Sequence, residues 1–242
     1  MADDSRLSTS SPNKSIEELT PDKASKLSPE EAKTYYTWSN FFGALMSPDA
    51  LGRTYVAVQS VVNEERDCKK CDEWKEWLFS NSPIIRFLSS EISKIGPPLD
   101  PSHVRCRRCG VTQSGGFDSN YGILLCANTF RTRGKLEDTL AHEMVHAWDH
   151  SRFKVDQNNM RHQACTEIRA ATLSGECRFY REFWQRGQYK VSEGFQDCVR
   201  RRAELSLRAR PQIKDEQMAK NAVNEVWDSC FTDTRPFDEI YR

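Results

Sequence analysis

Along most of this chain apolar residues recur at helical spacing, broken by short clusters of turn formers. "SPEEAK", from Ser28 to Lys33, predicts a helix start, with Ser28 as N-cap, Pro29 in the first helical position and Glu31 three residues after the cap. "NSPIIRFLSSEISKIG" predicts a further helix that opens at Ser82–Pro83 and stops at Gly96 before Pro97 and Pro98. The middle changes period. "VRCRRCGVTQSGGFDSNYGILLCANTF" brings alternation, β-formers and glycines, which predict two or three short strands with a turn at Gly115–Gly116. Its clearest strand is Gly122–Asn128. After Gly134 the helical period returns, through "KLEDTLAHEMVHAWDH" and "HQACTEIRAATLSGECRFYREFW" and again around Glu204 and Val223.

The expected plan is an α+β fold, mostly helical, with a small mixed sheet feeding the central helix. Residues 1–30 hold only Leu7, Ile16, Leu19 and Leu27 as large apolar residues, so they are expected to form a loose tail. A single domain is expected over 31–242.

Charge narrows the function classes. Lys plus Arg and Asp plus Glu number 35 each, for a net charge of zero. That argues against a nucleic-acid surface, which needs an excess of cations on one face; only the run Arg105–Arg108 survives as a patch. No apolar run approaches the ~18 residues of a membrane span. No apolar segment of a secretory signal follows the first residues, and Asp3, Asp4, Glu17, Glu18 and Asp22 supply acid that a mitochondrial transit peptide avoids. The chain is therefore expected to be soluble or peripheral to a membrane.

Candidate chemistry centres on "TLAHEMVHAWDH", Thr139 to His150. At about 100° per residue, His146 stands about 40° from His142, Glu143 about 100°, and Asp149 about 20° on the other side. Leu140, Met144, Ala147 and Trp148 fall nearly opposite and supply a core-facing stripe. Two imidazoles one turn apart can meet one cation at roughly 2.0–2.1 Å, and zinc suits nitrogen and carboxylate ligands with an open position. Glu143 points aside, where it would reach a water held by that cation. This is the HExxH arrangement of zinc hydrolases. His142 and His146 are the expected ligands of one catalytic Zn2+, and Glu143 the catalytic acid–base.

A catalytic zinc takes three protein ligands. The metzincin ending would need Gly and His where this chain has Asp149 and Arg152. Glu167 is the leading third ligand, because Ala164, Ala170, Ala171 and Ser174 on its face let two helices approach closely. Asp149, His150 and His162 are the alternatives. Asp149 reads more readily as an acceptor that orients an imidazole. The competing structural reading pairs Glu167 with Arg169 or Arg178. In the catalytic reading, a strand such as Gly122–Asn128 would offer its edge to an extended peptide substrate.

"LAHEMVHAWDHSRFKVD" followed by "RHQACTEIRAATLSGEC" resembles the mitochondrial inner-membrane metalloproteases that process and assemble ATP synthase. The likeness is strongest from about Cys106 to Phe179, extends back to Cys68, and is absent from the first 30 residues. It implies a zincin-like metallopeptidase in the intermembrane space, held peripherally on the inner membrane. It further implies trimming of the N-terminal segment of ATP synthase subunit 6, the a subunit, and a separable role in joining that subunit to the subunit 9 ring. His142, His146 and Glu143 carry over as ligands and catalytic glutamate.

Nine cysteines are many for such a chain, two pairs of them as Cys-x-x-Cys: Cys68/Cys71 and Cys106/Cys109. In the resembled family such a load fits import by oxidative folding. Disulfides are expected, with a four-thiolate structural zinc as the rival. Cys165 and Cys177 would sit roughly 18 Å apart on one continuous helix, so either they pair elsewhere or the helix breaks at Gly175. Two other function classes compete with an endopeptidase: an assembly chaperone whose metal helix is structural, and a zinc-ribbon nucleic-acid binder. The retained Glu143 favours the enzyme over the first, and neutral charge disfavours the second.

Overall fold

The helix starts carry the caps that their sequences promise. In the computed structural model, which describes residues 13–109, 113–178 and 191–238, a short α1 (Pro21–Ala24) precedes α2 (Pro29–Tyr35). The Ser28 hydroxyl accepts from the Glu31 amide, and the Glu31 carboxylate accepts from the Ser28 amide. Next come α3 (Trp38–Met46) and the long α4 (Arg53–Asn81). The chain gathers into two compact units, Met1–Lys69 and Lys70–Arg242, which divide within α4.

In the first unit, residues 13–30 are not a loose tail. Ile16 and Ala24 are fully buried, and Leu19 and Leu27 lean on Val58 and Val61 of α4. Four apolar residues are too few to form a core alone, but α4 supplies the surface they lacked. Asn40 of α3 is buried as well. It accepts from the Ile16 amide and donates to the carbonyls of Lys14 and Tyr35, fixing the incoming strand of chain.

In the second unit, α5 (Pro83–Ile95) is capped by Ser82 and stopped at Gly96, as predicted. A three-stranded mixed sheet follows: β1 (Val104–Arg107), β2 (Gly115–Asp118) and β3 (Gly122–Cys126), in the order β1-β3-β2. β3 pairs parallel with β1 and antiparallel with β2, with Ile123 opposite both Val104 and Phe117. Two strand expectations change. Gly115–Gly116 start a strand rather than a turn, and the reversal falls at residues 119–121. There Asp118 accepts from the amides of Asn120 and Tyr121, and Gly122 takes φ +82°. β3 is also shorter than Gly122–Asn128, since Ala127–Thr129 turn into a 3-10 helix.

α6 (Arg133–Arg152) packs on α5 and on the sheet. α7 (Met160–Leu173), α8 (Val191–Arg208) and α9 (Glu216–Phe231) complete the unit around Ile168, Val199, Leu207, Val223 and Trp227. The protein is thus α+β, mostly helical. Disulfides join Cys71 to Cys106, Cys109 to Cys126, Cys165 to Cys230 and Cys177 to Cys198. Cys71 and Cys106 bridge the two Cys-x-x-Cys motifs, which removes the four-thiolate zinc. Cys165 and Cys177 each pair elsewhere, and the helix between them also ends, with Gly175 at φ +83°. The continuation expected through "RFYREFW" runs into residues 179–190, outside the described ones.

Candidate metal centre

α6 is unusual in being buried all round. Leu140 and Met144 are inaccessible on its core side, yet Asp138, His142, Glu143, His146 and Asp149 are buried too. Buried polar groups need partners, and α7 provides most of them. Its Ala164, Ala170 and Ala171 have no exposed surface, and α7 packs directly on α6. The Nε2 atoms of His142 and His146 lie 3.1 Å apart, and Glu167 Oε2 lies 3.5 and 3.6 Å from them. A point equidistant from three atoms so spaced is about 2.0 Å from each, the bond length of imidazole and carboxylate on zinc. Oε2 is buried and accepts no hydrogen bond among the described residues, whereas Oε1 accepts from Arg210 Nη2 at 3.2 Å. A buried carboxylate oxygen aimed at two imidazole nitrogens is a donor set that suits a divalent cation.

The far nitrogens are fixed as well. His142 Nδ1 donates to Glu176 Oε1 at 3.0 Å, and Glu176 Oε2 accepts from Arg202 at 2.8 and 2.7 Å. His146 Nδ1 donates to the Thr166 hydroxyl at 2.9 Å, and that hydroxyl donates to Asp149 Oδ2 at 2.7 Å. Asp149 in turn accepts from Arg169 Nε at 3.0 Å, while Arg169 reaches the carbonyls of Asp233 and Arg235. With both Nδ1 atoms engaged as donors, both Nε2 lone pairs turn toward Glu167.

Electrostatics agree with that reading. Burial alone would raise the Glu176 carboxyl, but His142 and Arg202 bring it down to about 2. Burial likewise opposes charge on Glu167, and His146 and His142 more than reverse it, holding the carboxyl well below its ordinary value. Burial also disfavours a charged His142, yet Glu176, Glu167 and Glu143 together hold it well above the ordinary imidazole range. The charged Glu167 carboxylate, with one oxygen facing both Nε2 atoms, makes this point suited to a cation.

Glu143 stands apart from the cluster and lines the same cleft. The cleft, of about 550 Å³, is walled by β2, by α6 and α7, and by Arg202, Leu205 and Arg210. Burial pushes the Glu143 carboxyl above its usual value despite the two histidines. A Cβ on Gly115 would come within 3.5 Å of Glu143 Oε1, so glycine keeps space open beside the carboxylate. The strand edge at the cleft belongs to β2. β3, expected to offer that edge, is the central strand and is paired on both sides.

The alternative ligands lie elsewhere. Asp149 is one step back, behind Thr166. His150 lines the cleft, where its Nε2 meets Gln157 at 2.8 Å and its ring faces Phe117. His162 is exposed and accepts from the Asp156 amide. Arg169, offered as a partner for Glu167, serves Asp149, and the arginine on Glu167 is Arg210. Sequence reasoning missed Thr166, Glu176, Arg202 and Arg210. Glu176 follows the positive-φ Gly175, which is the one local sign that the chain turns there.

The Peptidase M76 family model matches residues 69–238. A protein of Neosartorya fischeri, named mitochondrial inner membrane protease atp23, is 56% identical over 212 residues, covering 86% of this chain and 90% of that one. Proteins given the same name are 55% identical in Aspergillus clavatus, over 86% of this chain and 90% of theirs, and 49% identical in Botryotinia fuckeliana, over 93% and 96%. No solved structure matches. Matched over the whole of its sheet and of α5 to α9, the chain belongs to the peptidase M76 family.

Proposed function

We propose that this protease is a zinc metalloendopeptidase with a zincin-like site, acting in the mitochondrial intermembrane space at the inner membrane. Its proposed substrate is the precursor of ATP synthase subunit 6, whose N-terminal segment it removes, and it assists assembly of that subunit with the subunit 9 ring. The inner-membrane location is supported by the relatives' names, and the intermembrane-space side rests on the resemblance alone; among the described residues no helix is long and apolar enough to cross a membrane. The substrate is supported by the resemblance carried by "LAHEMVHAWDH" and "ACTEIRAATLSGEC".

His142, His146 and Glu167 are the residues that would hold the ion. Zinc, when bound, supplies a Lewis acid that polarises the scissile carbonyl and makes water a competent nucleophile near neutral pH. Glu143, which lines the cleft beside the two histidines, takes a proton from the attacking water and passes it to the leaving amine. The outer edge of β2, unpaired among the described residues, offers backbone N–H and C=O groups to an extended substrate segment. Glu176 and Thr166 hold the imidazoles in the tautomer that leaves Nε2 available.

The observation that carries the reading is the Glu167 oxygen, without a hydrogen bond among the described residues, 3.5 and 3.6 Å from two imidazole nitrogens one turn apart. Glu143→Gln tests it. Purified variant is expected to hold metal in the same ratio as wild type while cleaving the precursor about 10²–10⁴-fold more slowly. In cells lacking the native protein it is expected to restore assembly without trimming. Undiminished proteolysis by pure variant would overturn the mechanism.

A further inference from the structure

α3 is built inside out. Its inward face is small and polar, with Ala44 buried and Asn40 spending its amide on three backbone groups. Its outward face carries Trp38, Phe42, Leu45 and Met46, exposed by 77%, 56%, 64% and 83%. Trp38, Phe41 and Phe42 touch one another edge-on or tilted, so the patch is a continuous surface rather than scattered side chains. An apolar patch of this kind is costly in water and marks a surface that meets something apolar.

The character of the patch selects its partner. No charged residue occurs from Tyr36 to Pro48. At its borders stand two exposed cations and one exposed acid: Lys14 Nζ lies over the Tyr35 ring, Arg53 opens α4, whose Tyr55 contacts Tyr36 and Phe41, and Asp49 follows Pro48. An uncharged stripe led by tryptophan, with charges only at its ends, matches the boundary between acyl chains and phosphate headgroups. Nine residues are far too few to span a bilayer but suffice to lie in its plane. The segment also lies outside the residues matched by the family model.

We propose that α3 lies on the lipid bilayer, with Trp38, Phe42, Leu45 and Met46 entering the headgroup boundary. This rests on the membrane location proposed above and assigns it to one helix. Because the stripe is uncharged, neutral lipid suffices for binding.

Flotation of the full chain with vesicles of phosphatidylcholine, alone or mixed with cardiolipin, tests the assignment. Wild type is expected to float with both, with little loss in raised salt. Phe42→Ser/Leu45→Ser is expected to bind about tenfold more weakly or worse, with unchanged cleavage of a soluble peptide. Tyr121→Ser, which removes an exposed ring from the β2–β3 turn, is expected to bind like wild type. Equal binding by the double variant and wild type would overturn the role of α3 and leave the membrane location standing. Failure of wild type to bind either vesicle would overturn both. A lipid-free dimer that the double variant abolishes would assign the face to a second copy of the chain and overturn the proposal.

Discussion

Replacing Thr166 with valine keeps the shape of the side chain and deletes one hydroxyl. That hydroxyl is buried and makes two bonds, accepting from His146 Nδ1 at 2.9 Å and donating to Asp149 Oδ2 at 2.7 Å. Asp149 keeps Arg169, at 3.0 and 3.2 Å, so its loss is partial. His146 keeps nothing on that side, and a buried donor left without an acceptor costs about 1–3 kcal/mol. The cost falls on the state in which Nε2 is held toward Glu167, because only there is Nδ1–H pinned against the new methyl group. Metal affinity is therefore expected to drop about 10–100-fold, the range seen when a group orienting a ligand is removed. Zinc titration against a competing chelator reads this directly, with urea unfolding of the same protein as a check on the fold. Thr166→Ser keeps the hydroxyl and is expected to bind zinc within about threefold of wild type. A folded Thr166→Val protein with undiminished zinc affinity would refute the idea that this relay orients His146.

Other parts of the structure give equally definite expectations. A Cβ at Gly115 would lie 2.9 Å from the Leu124 carbonyl oxygen and 3.1 Å from Thr139 Cγ2, so Gly115→Ala must displace β2. Overpacking of this kind costs about 1–3 kcal/mol; peptidase assays should show reduced turnover with zinc content unchanged, and full activity would deny β2 its place at the cleft. Replacing Cys165 and Cys230 together by serine opens a bridge across 65 residues, which chain entropy values at about 4 kcal/mol; a urea midpoint unmoved by the double change would contradict it. Asp233 is disfavoured by burial, but its bonds to Arg235 and the nearby Arg169 hold its carboxyl below the ordinary value. With the folded pKa below the unfolded one, its contribution is complete above about pH 4 and vanishes as pH falls through the lowered value. Asp233→Asn should therefore lower stability at neutral pH and flatten the acid limb of the stability curve; parallel limbs for variant and wild type would exclude that coupling.

Residues whose positions follow from local repeats were legible in the sequence. The spacing of His142 and His146 places two imidazoles on one side of a helix whatever surrounds it. The small residues beside Glu167 announce a close helix pair, and the structure brings Glu167 to both histidines. Ser28, Ser82 and Gly96 mark helix ends because capping is a matter of neighbouring residues. Long-range partners left no such trace. Arg202 reaches Glu176 across 26 residues and Arg210 reaches Glu167 across 43, and no periodicity encodes either meeting. The strand order hid the edge in the same way: β3 is the more apolar strand and for that reason takes the central place, leaving the glycine-rich β2 beside Glu143. Asp149 fell between these cases, since its helical face was readable but the intervening Thr166 was not.

The disulfides explain how a site assembled from distant residues can be held to the precision that metal ligation demands. Cys165 is next to Thr166 and two residues from Glu167, so its bridge to Cys230 clamps α7 to α9 where Glu167 and the Thr166 relay emerge. Cys177 follows Glu176 directly, and its partner Cys198 lies one turn before Arg202 on α8. One covalent bond therefore fixes both ends of the Glu176–Arg202 pair that orients His142. Cys126, bridged to Cys109, anchors β3 and with it the register of β2 beside Glu143. Each buried polar contact alone is worth only about 1 kcal/mol net, too little to hold three carboxylates and two imidazoles together against their own repulsion and desolvation. Cross-links one or two residues away remove the alternative arrangements, so the helices stay together, and in the proposed metalloenzyme a cation would relieve the charge crowding.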